Sequence, residues 1–590
     1  MYLTDVWFVR SPSSKSGLGN MVSSIAPYVA LSLVVFLFSK LVQGFILIPR
    51  FTILNDLKRL GVAKNKGKIP GRAVICGGSI AGLLAAAVCA DHFESVLIVE
   101  PEACTNDERG TELPVHIERR IGELGVPVAV SDRKRVSRLT IFVTLILHPV
   151  SYMALQRLFR DDLQAELRYF HTRPTVAQWR IAPLWEPYRE ASNSDKTSDA
   201  PLTLPLSRPG YENLLRRLVK KTRPNVEFIM GTVVGVRKDE SEDQSGLDTP
   251  LDRVVIRSPN MRTLSNGSME EVLAKLVVDA TGPTQAGFTK WLKAAGYDDN
   301  LFSISNTQLR DEYKTSTQIL CVIFTVPPHL HAKFPVPWGF KHGPIIIHGP
   351  DPLLGDTRSI WAQITEGNRL LFGMSGPGWT ARPHSASELV ATLRDYADFR
   401  HGRIPPWTLD LLLFFEAHEA ECEPFYRDLA YPPLSWIRYH DAPPGSLPRN
   451  FVAIGDASVR LNPVGAQGCT NAMYGAVTLD SCLRNLRAGA QKLPEDFSTE
   501  FFKRMAPRIW HMWVGQKDRD YTAPGVVPVI GETIQTGRLR RWFYRQASKL
   551  AKQDREVFSS MWHSSMLLAP PTDVFAPWLL LRMAKQWFIS

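Results

Sequence analysis

The chain has few cysteines for its length, and their spacing excludes the common frameworks that depend on cysteine. Seven cysteines occur among 590 residues, and none forms a Cys-x-x-Cys pair of the kind that holds structural zinc. Cys76 and Cys321 lie inside apolar, strand-like runs. We therefore interpret the cysteines as reduced core thiols and expect neither a disulfide scaffold nor a metal site.

The chain also lacks a long basic run, a recognised nucleic-acid motif and an internal repeat. Its net charge of +11 is spread along the sequence, so no nucleic-acid partner is predicted. A basic surface of this kind either attracts anionic lipid or aids solubility. The hydrophobic content of 44% over 590 residues is ample for a sizeable core and for more than one domain.

The most informative segment that is present is a glycine turn between two apolar strands. The order is a short strand, a turn that begins at Gly77, a small-residue helix, and a second strand that stops at Glu100. Gly77 makes the turn, Gly82 permits contact between helix and strand, and Ser79 replaces the usual middle glycine. This order is typical of a dinucleotide site, where amides meet a pyrophosphate and the acid binds a ribose hydroxyl.

Two later segments repeat the pattern of an apolar strand that ends in small residues. The first, Leu-Val-Val-Asp-Ala-Thr-Gly, ends at Gly282. The second ends at Gly455 and Asp456, and a glycine-rich turn over 462–471 then leads into a helical segment. A carboxylate at such a strand end suits a chain of sugar hydroxyls, and the following turn offers N–H groups to an anionic ring edge.

With these motifs in this order, the chain resembles the single-component FAD-dependent monooxygenases of the aromatic-hydroxylase type, including fungal and bacterial secondary-metabolism members. That family shares a fold with squalene epoxidases and flavin halogenases, and the resemblance runs from about Gly71 to the C-terminus. It implies an α/β fold: a Rossmann-like FAD-binding domain of the glutathione-reductase type, an inserted antiparallel-sheet substrate domain, and a helical C-terminal region. The expected division is an N-terminal membrane anchor (1–50), a discontinuous FAD-binding domain (71–300 and 440–490), a substrate domain (301–439) and a helical region (491–590).

The resemblance also implies which residues bind FAD. The AMP half would be held by the first turn and its acid, and the ribityl chain by the Gly-Asp motif. The later turn would lie under the isoalloxazine, with the amides of Gly468 and Cys469 at the N1/O2 edge. The full set of expected cofactor residues is Gly77, Gly78, Ser79, Ala81, Gly82, Glu100, Arg208, Gly282, Gly455, Asp456, Pro463, Gly465, Gly468 and Cys469. Two of these have plain alternatives: Arg208 as a surface arginine that begins a helix, and Cys469 as a small residue in a tight turn.

The chain departs from the family pattern at two places. Thr281 and Gly282 stand where the family carries Asp-Gly, which leaves FAD binding intact and makes the reductant, NAD(P)H in the family, less certain. The Trp-x-Trp-x-Ile-Pro signature of flavin halogenases is absent, so halogenation is disfavoured.

The N-terminus predicts a membrane segment. Residues 21–38 carry no charge, and roughly 20 apolar residues are enough to cross a bilayer. Cations are more numerous after this segment than before it, which places the catalytic domain on the cytosolic side, at the endoplasmic reticulum if the source is eukaryotic. A cleaved signal peptide and an interfacial helix are the alternatives. The C-terminal segment 577–588 either lies in the lipid interface or packs on the protein.

The predicted function is hydroxylation or epoxidation of a lipophilic small molecule, such as an aromatic or prenylated compound, with O2 and NAD(P)H, through the flavin C4a-hydroperoxide of the family. The lipophilic character is inferred from the anchor. The catalytic residues are unknown; His148, His342, His348 and Tyr313 could orient a substrate, although each is more typical of a structural role. An FAD-dependent reductase or dehydrogenase, and a non-catalytic FAD-binding membrane protein, are the alternatives.

Overall fold

A computed structural model gives the fold of the chain. The residues that it describes are 38, 40–62, 67–101, 145–176, 201–238, 250–258, 268–282, 286–297, 309–337, 339–341, 343–348, 358–378, 381–396, 407–430, 432–443, 445–487, 489–551 and 553–589.

The strands are short and fall into several sheets. In chain order they are β1 (Ile69–Cys76), β2 (Phe93–Glu100), β3 (Leu145–Ile146), β4 (Thr175–Val176), β5 (Leu202–Thr203), β6 (Pro205–Leu206), β7 (Val226–Met230), β8 (Thr232–Lys238), β9 (Leu251–Arg257), β10 (Met269–Leu273), β11 (Leu276–Asp279), β12 (Arg310–Tyr313), β13 (Thr317–Thr325), β14 (Gly343–His348), β15 (Ser359–Thr365), β16 (Arg369–Pro377), β17 (Phe425–Ala430), β18 (Leu434–Ile437), β19 (Phe451–Ala453) and β20 (Val459–Arg460).

The helices lie between these strands and at both ends of the chain. In chain order they are α1 (Ile48–Phe51), α2 (Leu54–Leu57), α3 (Ile80–Cys89), α4 (Pro149–Tyr169), α5 (Arg208–Thr222), α6 (Ala286–Ala294), α7 (Ala386–Tyr396), α8 (Trp407–Ala417), α9 (Glu419–Cys422), α10 (Gly468–Arg484), α11 (Phe497–Asp520), α12 (Arg538–Ala551), α13 (Arg555–Ser565) and α14 (Pro577–Ile589).

A five-stranded parallel sheet forms the centre of the first region, in the order β7-β2-β1-β11-β19. The carboxyl halves of its inner strands are buried; Val74, Ile75 and Val278, for example, are 0% exposed. Such continuous apolar runs are expected where a parallel sheet is covered on both faces. The small residues of α3 let that helix lie against β1 and β2, with α10 packed on α3.

A five-stranded antiparallel sheet forms the second region, in the order β14-β15-β16-β13-β17. Alternate residues of β13 face opposite sides, as the two-residue period of a strand requires. Val322 and Phe324 belong to a core shared with α7 and α8, whereas Ile319 and Cys321 pack with Trp361 and Val464. Smaller antiparallel sheets, β8-β9-β10 and β12-β18-β20, flank the two regions.

The predicted fold class is confirmed: a Rossmann-type parallel sheet is combined with an antiparallel sheet and a helical C-terminal region. Strands β11 and β19 are far apart in sequence and adjacent in the parallel sheet, so that region is discontinuous in the chain. The numerical boundaries of the domains remain a prediction.

The predicted single-pass anchor is corrected. Across the described parts of the chain, no helix combines the length and the apolar character that a membrane crossing requires. The segment 21–38, except for Phe38, lies outside the described residues. The end of the proposed anchor and the residues directly after it contact the protein: the Arg508 guanidinium donates to the Pro49 carbonyl (3.1 Å) and to Asp56 (2.5 Å), and Ile53 is 0% exposed.

The prediction of a membrane-bound protein with a cytosol-facing catalytic domain is therefore wrong as well. The predicted anchor included the apolar residues that follow Lys40 in a lipid-facing segment. These residues instead lead into α1 and α2, which pack on the protein through α11 and α10.

The C-terminal segment packs on its neighbours. In α14, Leu579 is 0% exposed within a cluster that includes Leu550 and Val557 of α12 and α13. Arg582 pairs with Asp554 at the start of α13. Leu581 of the same helix is 70% exposed, so α14 packs on α12 and α13 through one side, and contact of its other side with lipid stays a prediction.

Candidate cofactor-binding site

The first glycine turn lies at the carboxyl end of β1, where backbone geometry demands glycine. Gly77 has a φ of +110°, and a Cβ there would lie 2.5 Å from the Ala280 carbonyl oxygen. Its N–H donates to the Val99 carbonyl at 2.9 Å. A Cβ at Gly82 would clash with the Gly77 carbonyl. The two glycines thus allow α3 to start directly behind the turn.

Glu100 lies in this turn, at the end of β2. It is 6% exposed, and its Oε2 accepts the Gly78 N–H at 2.7 Å. Ser79 is the residue that precedes α3, and its hydroxyl donates to Glu212 of α5 at 3.0 Å. Glu212 in turn pairs with Arg216 at 2.9 Å. The turn therefore has the predicted acid on one side and an unpredicted carboxylate–guanidinium pair on the other.

The Gly-Asp motif meets the first turn. Gly455, at a φ of +67°, follows β19, and a Cβ there would lie 3.0 Å from the Cβ of Ala81. Asp456 comes next, and an ideal Cβ on Gly468 would lie 4.0 Å from its Oδ1. The Asp456 carboxylate is thus next to the N-terminus of α10, where the helix dipole favours an anion.

Arg208 also lies at this place. It is the first residue of α5, and Ser207 caps that helix by accepting the Gly210 N–H. Burial raises the pKa of Asp456, and the charges of Arg208 and then Arg460 oppose this. Arg208 and Asp456 are both half-buried and carry opposite charges that interact, which favours a site residue over an ordinary surface arginine.

Cys469 is close to the same charges. Burial raises the pKa of its thiol to about 12, Arg208 opposes that rise, and Asp456 adds to it. The thiol is protonated at neutral pH and Cys469 is the second residue of α10, which agrees with a small structural residue and not with a nucleophile.

The turn predicted to lie under the isoalloxazine is supported from behind by α11. Pro463–Gly465 forms one 3-10 turn, which is capped by Asn462. The Asn462 N–H donates to Gln516 Oε1 at 2.6 Å, and its side-chain amide donates to Asp520 Oδ2 at 2.8 Å. A Cβ on Gly465 would clash with the Gln516 amide. The position of the turn thus depends on buried side chains of a helix that lies far along the chain.

The mid-chain motif is organised by Asp279, at the end of β11. Its Oδ1 accepts from both the N–H (3.0 Å) and the hydroxyl (2.7 Å) of Thr281. Burial raises the pKa of Asp279 from 3.8 to about 6, and Oδ2 has no hydrogen-bond partner among the described residues. Gly282 follows at a φ of +79°, and no described atom lies within 4 Å of an added Cβ, so this edge is open toward the described part of the chain.

Of the four residues suggested for substrate orientation, His148 and Tyr313 have described side chains, and both are buried. His148 is 1% exposed, its Nδ1 is 3.0 Å from the Thr470 hydroxyl, and burial lowers its pKa to about 4. The Tyr313 hydroxyl donates to Asp520 at 2.8 Å. Both are structural residues in this arrangement. His342 and the side chain of His348 lie outside the described residues.

Sequence reasoning missed three acids that organise the site: Asp279, Glu212 and Glu366. The first stands at the end of an apolar strand, a position that could have been recognised. The other two act through contacts that are distant in sequence. Glu212 accepts a hydrogen bond from Ser79, 133 residues earlier, and Glu366 accepts hydrogen bonds from Ser207, 159 residues earlier. No local pattern gives such contacts.

The residues at this edge fit FAD. Two glycine turns and the N-terminus of α10 converge at the carboxyl end of one parallel sheet, where α/β folds bind nucleotides. Glu100 and Asp456 supply acceptors for sugar hydroxyls, and Arg208 supplies a cation. At Gly282 and Gly468 an added Cβ would overlap no described side chain. The individual cofactor roles remain predictions.

Comparison with known proteins gives structural neighbours only. No protein-family model matches the sequence, and no curated protein does. Among solved structures, PqsL of Pseudomonas aeruginosa in complex with 2-aminobenzoylacetate is 15% identical (TM-score 0.48), and the match covers 77% of this chain and 97% of that one. A variant of HpxO of Klebsiella pneumoniae, complexed with FAD, is 14% identical with a TM-score of 0.45, and the match covers 85% of this chain and 99% of that one. 2-Methyl-3-hydroxypyridine-5-carboxylic acid oxygenase is 16% identical with a TM-score of 0.45, and the match covers 78% of this chain and 94% of that one. Likeness at this level transfers neither activity nor substrate to the present chain.

Proposed function

We propose that this protein is an FAD-dependent monooxygenase that hydroxylates or epoxidises a small molecule with O2 and NAD(P)H. The main support for this proposal is that Glu100, Asp456 and Arg208 converge on the glycine turns at one edge of the parallel sheet. Each group is of the type that the AMP half, the ribityl chain or the ring of FAD requires, and all come from separate segments. When bound, FAD would supply the redox chemistry with nicotinamide and oxygen.

The protein's own residues would bind and orient FAD. The amides of the first turn and the N-terminus of α3 would hold the pyrophosphate, with Glu100 on the ribose and Asp456 on the ribityl chain. Arg208 and the amides at Gly468 and Cys469 would face the ring edge. The FAD-binding region would comprise 71–300 and 440–490, and 301–439 would form the substrate domain.

The predicted membrane anchor is wrong, so it cannot indicate a lipophilic substrate. The side chains of the antiparallel sheet give a separate indication. The face of the antiparallel sheet toward the Pro463–Gly465 turn is mixed: Ile319 and Cys321 pack there with Trp361 and Val464, and the strand register places Ser359 and Ser375 beside Ile319. A lipophilic molecule, such as an aromatic or prenylated compound, suits the apolar part of such a face. The cluster around Trp361 therefore supports the proposal of a lipophilic substrate.

The test uses the full chain, because α1 and α2 pack on the protein and truncation through Arg50 would remove buried contacts. The FAD-loaded protein is mixed anaerobically with NADPH or NADH, and the visible spectrum is recorded. We expect the oxidised-flavin bands to bleach with at least one donor. With 18O2 and a panel of lipophilic aromatics, label should then enter a product.

Two results would point to the alternatives. Bleaching and product formation without oxygen incorporation would indicate an FAD-dependent reductase or dehydrogenase. Bound FAD that neither donor reduces, with or without the panel compounds, would indicate a non-catalytic FAD-binding protein.

A further inference from the structure

One acid of the antiparallel sheet reaches into the cofactor region. Glu366 lies in the 3-10 turn Glu366–Asn368, which joins β15 to β16. Gly367 and Asn368 adopt left-handed conformations, with φ of +70° and +55°, so the hairpin is tight. The Glu366 side chain is 0% exposed and is directed away from the sheet toward the start of α5.

Its carboxylate caps that helix from outside. Oε2 accepts the Ser207 N–H at 2.9 Å, and Oε1 accepts the Ser207 hydroxyl. The same hydroxyl accepts the Gly210 N–H at 3.1 Å. A Cβ at Gly210 would clash with the carboxylate, so the glycine makes room for it. Glu366 therefore pairs with the Ser207 N–H, directly before Arg208, and lies against the first turn of α5.

Arg208 follows this contact directly in the chain. It is the first residue of α5, after Ser207, and its charge opposes the rise that burial causes in the pKa of both Asp456 and Cys469. The preceding strand, β6, lies against β15, so the same hairpin supports the segment on both sides of Ser207. An anion at a helix N-terminus is also favoured by the helix dipole, which adds to the hold on α5.

We propose that Glu366 is a positioning residue for the cofactor: it fixes Ser207 and the first turn of α5, and so holds Arg208 beside Asp456 and Cys469. The antiparallel sheet would thus contribute to FAD binding through Glu366, which acts by way of Ser207 and the first turn of α5. This inference rests on the proposed FAD site.

The test is a double-mutant cycle on the affinity for FAD, measured by fluorescence titration of the apoprotein. Glu366→Ala should weaken FAD binding about tenfold, and Arg208→Ala by a similar factor. Because Glu366 acts through Arg208, the double variant should bind FAD no more weakly than Arg208→Ala alone. Multiplied effects, about a hundredfold together, would overturn the proposal.

A matched control separates positioning from helix capping. Glu419 caps α7 from another element by accepting the Ala386 N–H at 2.9 Å, and it therefore supports a helix other than α5. Glu419→Ala should leave FAD affinity within about twofold of wild type. Glu366→Ala with equally unchanged affinity would refute the positioning role.

Folding is checked by circular dichroism and thermal unfolding of each apoprotein. If Glu366→Ala fails to fold, Glu366→Gln takes its place in the cycle, since glutamine keeps the shape and one acceptor oxygen. Its FAD affinity should fall about threefold, again only in the presence of Arg208. If the wild-type protein binds no FAD, the proposed function itself is refuted. If the wild-type protein binds FAD but the effects of the two substitutions on FAD affinity multiply, only the positioning role of Glu366 is refuted.

Discussion

The parallel-sheet region and the antiparallel-sheet region position their functional groups in different ways. At the edge of the parallel sheet, the binding groups are largely main-chain amides, and glycines at Gly77, Gly82 and Gly455 create the room for them. The antiparallel sheet instead contributes through a buried side chain that contacts a distant element, as Glu366 does at Ser207. A site built from turns tolerates almost no added side-chain volume, whereas a site built from long side chains depends on each hydrogen-bonded pair.

The largest effect should come from adding volume at the first turn. Gly82→Val places a branched side chain against the Gly77 carbonyl, which costs more than about 3 kcal/mol and should weaken FAD binding more than about 100-fold. Visible absorbance of the purified protein after incubation with FAD measures the loss. Gly235→Ala is the control, because a Cβ there has its nearest neighbour at 3.7 Å. A Gly82→Val protein that keeps the flavin absorbance would show that the first turn does not bind the pyrophosphate of FAD.

A buried charge gives the next effect, with a defined pH dependence. Asp279 has its pKa raised from 3.8 to about 6 by burial, so the fold favours its protonated form. Its contribution to stability is present below about pH 4 and is lost as the pH rises through about 6. Asp279→Asn keeps the acceptor for Thr281 and cannot ionise, so at pH 8 it should be more stable than wild type by up to about 3 kcal/mol.

Urea unfolding at pH 4 and pH 8 measures this difference in the free energy of unfolding. The gain should shrink toward zero at pH 4. A variant that is less stable than wild type at both pH values would show that the Asp279 carboxylate is needed in its charged form.

Removal of one acceptor should have a smaller effect at the opposite end of the site. Asp456→Ala should lower FAD affinity about 30-fold, equivalent to about 2 kcal/mol, because a charged partner for sugar hydroxyls is lost. Equilibrium dialysis with FAD gives the affinity. Asp441→Ala, which removes a surface acid paired with Arg438, is the matched change; equal affinities in the two variants would exclude Asp456 from the site.

The smallest predicted effects concern two buried tyrosines and have opposite signs. Tyr211 of α5 is 0% exposed and its hydroxyl has no hydrogen-bond partner within the described ranges, whereas the Tyr313 hydroxyl donates to Asp520. Tyr211→Phe should stabilise the apoprotein by about 1 kcal/mol, and Tyr313→Phe should destabilise it by about 1 kcal/mol. Thermal unfolding of the two variants side by side decides this; shifts of the same sign would contradict the different pairing of the two hydroxyls.

The parallel region could largely be predicted from the sequence because its determinants are local. A strand, a glycine turn, a helix and a terminal acid occur within one short segment, and their order predicted the position of Gly77, Gly82 and Glu100 at one edge. The Gly-Asp end at Asp456 followed from the same kind of local pattern.

The remainder depends on contacts between residues that are far apart in sequence. The capping of α5 by Glu366, the Glu212 contact with Ser79 and the support of Asn462 by α11 could not be derived from any local period or spacing. The anchor was wrongly predicted for a related reason: hydropathy records apolar composition, and packing partners such as Arg508, more than 450 residues beyond Pro49, leave no local signal.

Titration of the purified full-length apoprotein with FAD tests the central claim most directly. The account predicts saturable binding of one FAD per chain, with an oxidised-flavin spectrum and competition by ADP, since the first turn would hold the AMP half. Absence of saturable binding, or binding that ADP leaves unchanged and Gly82→Val does not weaken, would contradict an FAD site at the edge of the parallel sheet.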